Sequence, residues 1–210
     1  MSKNKNSMAW KLFDRYFIQG LNGMALGLFS TLIIGLIIKQ ISSVFTGSIA
    51  SFLLTVAVVA MSLTGPVIGI GVAHALKSPK LVILASGVTG LLGAFGGTFS
   101  SGALLSDKMQ LVLPGAGDPL GAFIAVVISA EIGRLVSGKT KVDIIVTPLV
   151  TIVTGGMVAY FVGPYLAMAM ANLGEFIRVS TELQPFLMGV AVSAVSYTHL
   201  RAHETGRNLV

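Results

Sequence analysis

The chain alternates long apolar runs with short polar breaks. Stretches such as 25–38 and 49–62 hold no ionisable side chain, and a helix that crosses a bilayer needs roughly 20 mostly apolar residues. The runs predict spanning helices at 20–38, 49–65, 81–97, 121–136 and 144–160, with a sixth beginning at Pro185. The predicted fold class is therefore all-α: a polytopic membrane protein of about five transmembrane helices plus a truncated sixth. Ahead of the first span, residues 10–19 read as an amphipathic stretch entered from a charged tail. Lys3, Lys5, Lys11, Asp14 and Arg15 scatter charge through that tail, and no compact apolar core follows, so it does not read as a cleaved signal peptide.

Two segments fit neither a span nor a plain loop: GPVIGIGVAHAL at 65–76 and GPYLAMAMANLGEFIR at 163–178. Both open with Gly-Pro and are apolar but short, which predicts re-entrant or interfacial helices. Loop 100–119, with Gly115, Gly117 and two prolines, reads as a flexible connection. In the third span Gly87, Gly90, Gly93, Gly96 and Gly97 form a small-residue seam. Such seams let helix backbones approach closely in lipid.

The sixth span, PFLMGVAVSAV at 185–195, reaches only about half the length a bilayer needs. Composition then changes abruptly, and SYTHLRAHETGRNLV at 196–210 resembles translated sequencing adapter joined to a truncated gene. The expected organisation is a truncated transmembrane domain at 1–195 followed by a foreign tail at 196–210. His199 and His203 fall in that tail and are set aside as metal ligands; no metal or cofactor is expected.

Composition supports the membrane class, with 54% hydrophobic residues, 10% charged and a mean hydropathy of +0.88, where soluble domains carry about 25% charged residues. A net charge of +6 would suggest nucleic acid in a soluble protein. Here the basic residues lie between apolar runs, where they orient helices. With the N-terminus in the cytoplasm, Lys3, Lys5, Lys11, Arg15, Lys77, Lys80, Arg134, Lys139 and Lys141 fall inside against Lys39, Lys108 and Arg178 outside. The lipid bilayer is thus the expected partner, and nucleic acid is not. With no cysteine, disulfides, thiolate catalysis and cysteine-held metals are excluded.

Gly133, Gly138, Lys139 and Thr140 match the spacing of a phosphate-binding P-loop. That loop works between a strand and a helix, and here it would join two membrane helices, so a basic turn is expected. Glu131 and Arg134 carry more weight, because charge inside a span costs at least about 2.5–3.5 kcal/mol and marks pathways. Three residues apart, they can also simply pair. His74 could bond a sugar hydroxyl or assist phosphate transfer, or serve only packing. Asp143, after Lys139, Thr140 and Lys141, is either a ligand group or an N-cap. Thr181, Glu182 and Gln184 ahead of Pro185 suit sugar hydroxyls, and equally suit a polar helix cap.

GKTKVDIIVTPLVTIVTGG (138–156), TELQPFLMG (181–189) and FIQGLNGMALGLFSTLIIGLIIKQI (17–41) resemble the membrane-embedded IIC subunit of the phosphoenolpyruvate-dependent sugar phosphotransferase system, over 17–195. The resemblance is to a stand-alone branch. It implies a group-translocating permease of the bacterial plasma membrane. A sugar binds in the membrane subunit, a IIB partner phosphorylates it, and the phosphorylated residues stay on the partner subunits. It also implies a homodimer. A Gly-Ile-Thr-Glu motif of glucose-type subunits supplies a sugar-contacting glutamate; Thr181 and Glu182 match its last two positions, while Val179 and Ser180 depart from the first two. Glu182 is accordingly the first candidate. The competing reading is an uncoupled small-solute transporter or membrane sensor sharing the fold.

Overall fold

The computed structural model describes residues 8–183. Within them the chain forms seven helices: α1 (Trp10–Ser42), α2 (Gly47–Ser62), α3 (Thr64–Ala75), α4 (Lys80–Ala94), the short α5 (Gly96–Ser100), α6 (Pro119–Val136) and α7 (Asp143–Leu183). No strand occurs among the described residues; Leu105 and Leu111 form a lone bridge in the α5–α6 loop. All-helical structure is what an apolar environment demands, because a helix satisfies its own backbone polar groups. Among the described residues α1, α6 and α7 are long and apolar enough to cross a bilayer, and α2 with α3 makes a fourth if that bent pair is one span.

The Gly65-Pro66 signal acts where it stands. Pro66 cannot donate to a preceding carbonyl, so the helix breaks at Leu63 and restarts at Thr64 with a 46° bend. The two halves then meet different surroundings. Only Ala57 is buried among the sixteen residues of α2, whereas α3 buries Thr64, Gly65, Ile68, Gly69, Val72 and Ala73. The predicted re-entrant segment 65–76 is thus the central helix, packed against α1, α4 and α6.

Glycine makes that centre possible. A Cβ added to Gly23 of α1 would lie 2.5 Å from the Gly71 carbonyl oxygen of α3, and one on Gly65 would lie 2.8 Å from the Gly90 carbonyl of α4. The predicted seam on α4 and α5 serves three neighbours in turn: Gly90 faces α3, Gly93 faces Gly121 and Ala125 of α6, and Gly96 faces Gly163 of α7. Hydroxyls fill the α4–α6–α7 interface beside it. Ser86, Thr89, Ser129, Thr147 and Thr151 are fully buried, and each donates to a carbonyl of its own helix or to a neighbouring side chain.

Boundaries differ from the sequence expectation in three places. The amphipathic stretch 10–19 is continuous with the first span, wound as a π-helix over Asp14–Gln19. The predicted span 81–97 is the fifteen-residue α4 followed by a break at Phe95. Segment 163–178, predicted as a separate element, lies within α7 despite Pro164. There Gly163 backs directly onto Gly96, and the freed backbone group is tolerated as it is in membrane helices generally. The sixth helix from Pro185 and the tail 196–210 lie outside the described residues.

At the start of α6, Asp118 caps the helix by accepting from the Leu120 amide at 3.0 Å, with Pro119 in the first turn. Its own amide donates to the Ala94 carbonyl at 2.7 Å, pinning the loop to the end of α4. Burial raises the Asp118 carboxyl pKa, and bonds from the Leu120 and Gly121 amides only partly oppose this.

Candidate functional site

The polar focus of the bundle forms at the end of α3. That helix closes with the Ser78 amide on the Ala73 carbonyl and the Lys77 amide on the His74 carbonyl, with Lys77 in the left-handed region at φ 55°. This is a Schellman closure with lysine where glycine is usual, and Pro79 then prevents continuation. Closure leaves the Leu76 carbonyl at the negative end of the helix, where a cation is favoured.

Arg15 supplies that cation. Its Nη2 donates to the Leu76 carbonyl at 3.2 Å and to Glu131 Oε1 at 2.6 Å. One guanidinium therefore joins α1, α3 and α6. It sits in the first of two π-helical stretches of α1, Asp14–Gln19 and Phe29–Ile33, irregularities of a kind that often marks functional positions. Arg134 Nη1 lies 3.9 Å from the other Glu131 oxygen. Arg15 and Glu131 are 27% and 30% exposed against 44% for Arg134, so the pair between helices is the more sheltered. The Nε of Arg15 is buried and has no hydrogen-bond partner among the described residues. Gln19 donates to Asp14 at 2.8 Å one turn away.

The six residues singled out from sequence fall in four places. Glu131 lies in this cluster, and its predicted partner Arg134 is the longer of its two contacts. His74, exposed on the last turn of α3, lines a shallow depression with Ala75, Lys77, Ser78 and Ile83. Asp143 stands apart at the head of α7. It accepts from the Gly138 amide at 2.8 Å and the Thr147 hydroxyl at 2.6 Å, closing the α6–α7 turn as an N-terminal cap would. The backbone of Thr181 and Glu182 ends α7; their side chains, and Gln184 altogether, lie outside what is described. The P-loop pattern has no P-loop geometry, because Gly133 is inside α6 against Thr151. Among the described residues no His, Cys, Asp and Glu cluster could hold a metal.

Sequence reading missed Arg15. Beside Asp14 and four residues after Lys11 it read as one more charge of the N-terminal tail, and its carboxylate lies 116 positions away, beyond any local spacing rule.

Residues 18–199 match the family model described as Phosphotransferase system, EIIC. The chain belongs to the EIIC family. No curated protein and no solved structure matches it. Glu131 falls within the matched range, and Arg15 precedes it. EIIC membership gives a permease-like role in the phosphotransferase system, with a sugar as the general class of substrate and other subunits of that system as partners. It agrees with the apolar helices in making this a membrane protein.

Proposed function

We propose that this EIIC chain is the sugar permease subunit of a phosphotransferase system, which binds a sugar in the membrane and presents it to a IIB partner for phosphorylation. The observation that carries the reading is the family match over 18–199. A helix broken at Leu63 whose second half runs through the centre of the bundle supports it, since interrupted helices in transporters surround solute sites. The chain works as a homodimer in the bacterial plasma membrane with its N-terminus in the cytoplasm. That orientation puts Arg15, Glu131 and His74 on the side where the sugar phosphate leaves.

Glu182, with Thr181 and Gln184, is the first candidate for sugar contact, on the motif match alone. Glu131 and His74 are candidates for the exit side. Asp143 ranks last, because both of its bonds close its own turn.

The test follows a labelled sugar panel in membrane vesicles with and without phosphoenolpyruvate and a soluble phosphorelay extract. Sugar phosphate formed only with phosphoenolpyruvate, and abolished by Glu182→Gln, is the expected result. Accumulation of unmodified solute would replace this reading with the uncoupled carrier.

A further inference from the structure

The charged ends of α4 and α6 mark one membrane surface, and helix length then fixes the depth at which these helices stop. Arg15 bonds Leu76 ahead of α4 and Glu131 near the end of α6, so Lys80, which opens α4, and Arg134, in the last turn of α6, share an end. From there α4 runs fifteen residues, about 22 Å, and α6 runs eighteen, about 27 Å. Their far ends are level, because the Asp118 amide donates to the Ala94 carbonyl at 2.7 Å. The hydrocarbon of a bilayer is about 30 Å thick, and the whole about 40–45 Å with its headgroup layers. The connection between Phe95 and Asp118 therefore starts and ends within the thickness of the bilayer. Helix α1, with 33 residues or about 50 Å, is long enough to cross all of it.

Within that connection residues 104–112 fold back as a hairpin. Leu105 and Leu111 form the antiparallel bridge, the Val112 amide donates to the Leu104 carbonyl, and the Ser106 amide donates to the Gln110 carbonyl, each at 2.9 Å. The base is fastened to the bundle. Leu104 is buried, Leu113 packs on the same core cluster, and the Leu104 amide donates to the Thr98 carbonyl at 3.1 Å. Residues opposite one another in an antiparallel pair share a face, so Leu105 and Leu111 point the same way, 52% and 50% exposed. Val112 is exposed too, and Met109 in the turn is 81% exposed with its backbone in the left-handed region at φ 55°. Glycine, asparagine or aspartate holds that conformation at less cost. A turn that met only water would gain nothing from methionine there, and clustered bare aliphatic side chains mark a contact surface. Asp107 and Lys108 form the apex, since the Met109 amide closes the turn on the Ser106 carbonyl at 2.8 Å.

We infer that hairpin 104–112 is an interfacial anchor, which inserts Leu105, Met109, Leu111 and Val112 among the lipid headgroups and upper acyl chains at the end of the bundle opposite Arg15. Depth selects this occupant, because the short helices α4 and α6 deliver the hairpin to the headgroup layer. The apex agrees with it. Charge is costly in hydrocarbon, but an Asp-Lys pair suits zwitterionic headgroups, and amphipathic elements at that level bury their apolar groups about 5–10 Å deep. Protein interfaces are depleted of charge at their centre, whereas here the charged pair stands between Leu105 and Met109. The hairpin thus gives two helices that end near the edge of the hydrocarbon a hold on the bilayer surface. This rests on membrane embedding and not on which solute is carried.

The chain has no cysteine, so single cysteines carrying a nitroxide report one position each in the full chain reconstituted into phosphatidylcholine vesicles. Leu105→Cys, Met109→Cys and Leu111→Cys are compared with Leu26→Cys, exposed midway along α1, and Lys139→Cys, exposed on the α6–α7 turn. Collisions with a water-soluble nickel chelate at the three hairpin positions should fall severalfold below those at Lys139, and collisions with oxygen should approach those at Leu26. Chelate collisions equal to those at Lys139 would overturn the anchor and leave the hairpin in water. So would labels shielded from both reagents, whether a second copy covers them, seen as spectral broadening that dilution with unlabelled chain removes, or another part of the same chain does. A fluorescence reading needs no label. In a Trp10→Phe chain, which loses its one tryptophan, Met109→Trp should be quenched severalfold more by phosphatidylcholine brominated high on its acyl chains than by aqueous iodide, and the reverse order would sink the inference.

Discussion

Replacing Gly69 with alanine tests the claim that backbone contact at glycines holds the centre of the bundle. A Cβ at Gly69 would lie 2.9 Å from the carbonyl carbon of Ser86 and 3.2 Å from the Gly90 Cα, with the Ser86 carbonyl oxygen nearer still. All three are backbone atoms, or as fixed as backbone, so relief requires α3 and α4 to separate by roughly 0.5–1 Å, which forfeits about a quarter to a half of each contact energy. With roughly 20 close atom pairs at about 0.1–0.2 kcal/mol each, the loss is about 0.5–2 kcal/mol, and overpacking in cores costs about 1–3 kcal/mol. Alanine also favours any helix over glycine by about 1 kcal/mol, which would mask part of the effect. Gly156→Ala removes that ambiguity. Its Cβ would meet only Leu92 Cδ1 at 3.5 Å, an ordinary contact, while the propensity gain is the same. In thermal unfolding of the purified protein in detergent, Gly69→Ala should fall below Gly156→Ala by about 1–2 kcal/mol, on the order of several degrees. Equal stability of the two variants would refute the close-contact account of α3.

Three further outcomes follow from single residues. In a double-mutant cycle on unfolding, Arg15→Gln with Glu131→Gln should show a coupling of about 1 kcal/mol or more, while Arg134→Gln with Glu131→Gln should show under about 0.5 kcal/mol, as exposed pairs do. Lys77→Gly should raise stability by about 1 kcal/mol by relieving the left-handed backbone, which a shift in unfolding midpoint would record. For Asp118 the folded pKa is raised, so the folded state binds the proton more tightly than the unfolded state and ionisation opposes folding. Stability should therefore rise as pH falls through the folded pKa towards the unfolded one, a pH dependence that Asp118→Asn flattens in unfolding followed across mildly acidic pH.

Class was legible because it depends on composition over many residues. Apolar runs free of charge read as membrane helices, and basic residues grouped by alternate breaks predicted which turns share an end; Arg15 meeting Leu76 and Glu131 bears out that grouping for the turns concerned. Helix count was not legible, because identical Gly-Pro signals act differently in different surroundings. At Pro66 the chain bends, and the glycines beyond it face α1 and α4. At Pro164 the helix continues, with Gly163 seated on Gly96. The cluster was half legible: an ionisable residue inside a span drew attention to Glu131, and its i+3 neighbour is a real contact. The stronger partner depends on α1 passing beside α6, which no spacing in the sequence encodes.

Helix α3 is thus held by two physically different means, and ionic strength separates them. Along its length the contacts are close apolar approaches at Gly23, Gly27, Gly65, Gly69 and Gly90, whose strength depends on shape and is little altered by salt. At its last turn the contact is electrostatic: a guanidinium that meets a helix C-terminus and a carboxylate about a third exposed, a setting in which screening over a Debye length of about 8–10 Å matters. A defect from Gly69→Ala should therefore persist unchanged as salt is raised, while the defect from Arg15→Gln should shrink, because salt has already weakened what that substitution removes. If both defects respond alike, the end of α3 is secured by packing alone and Arg15 is not its tether.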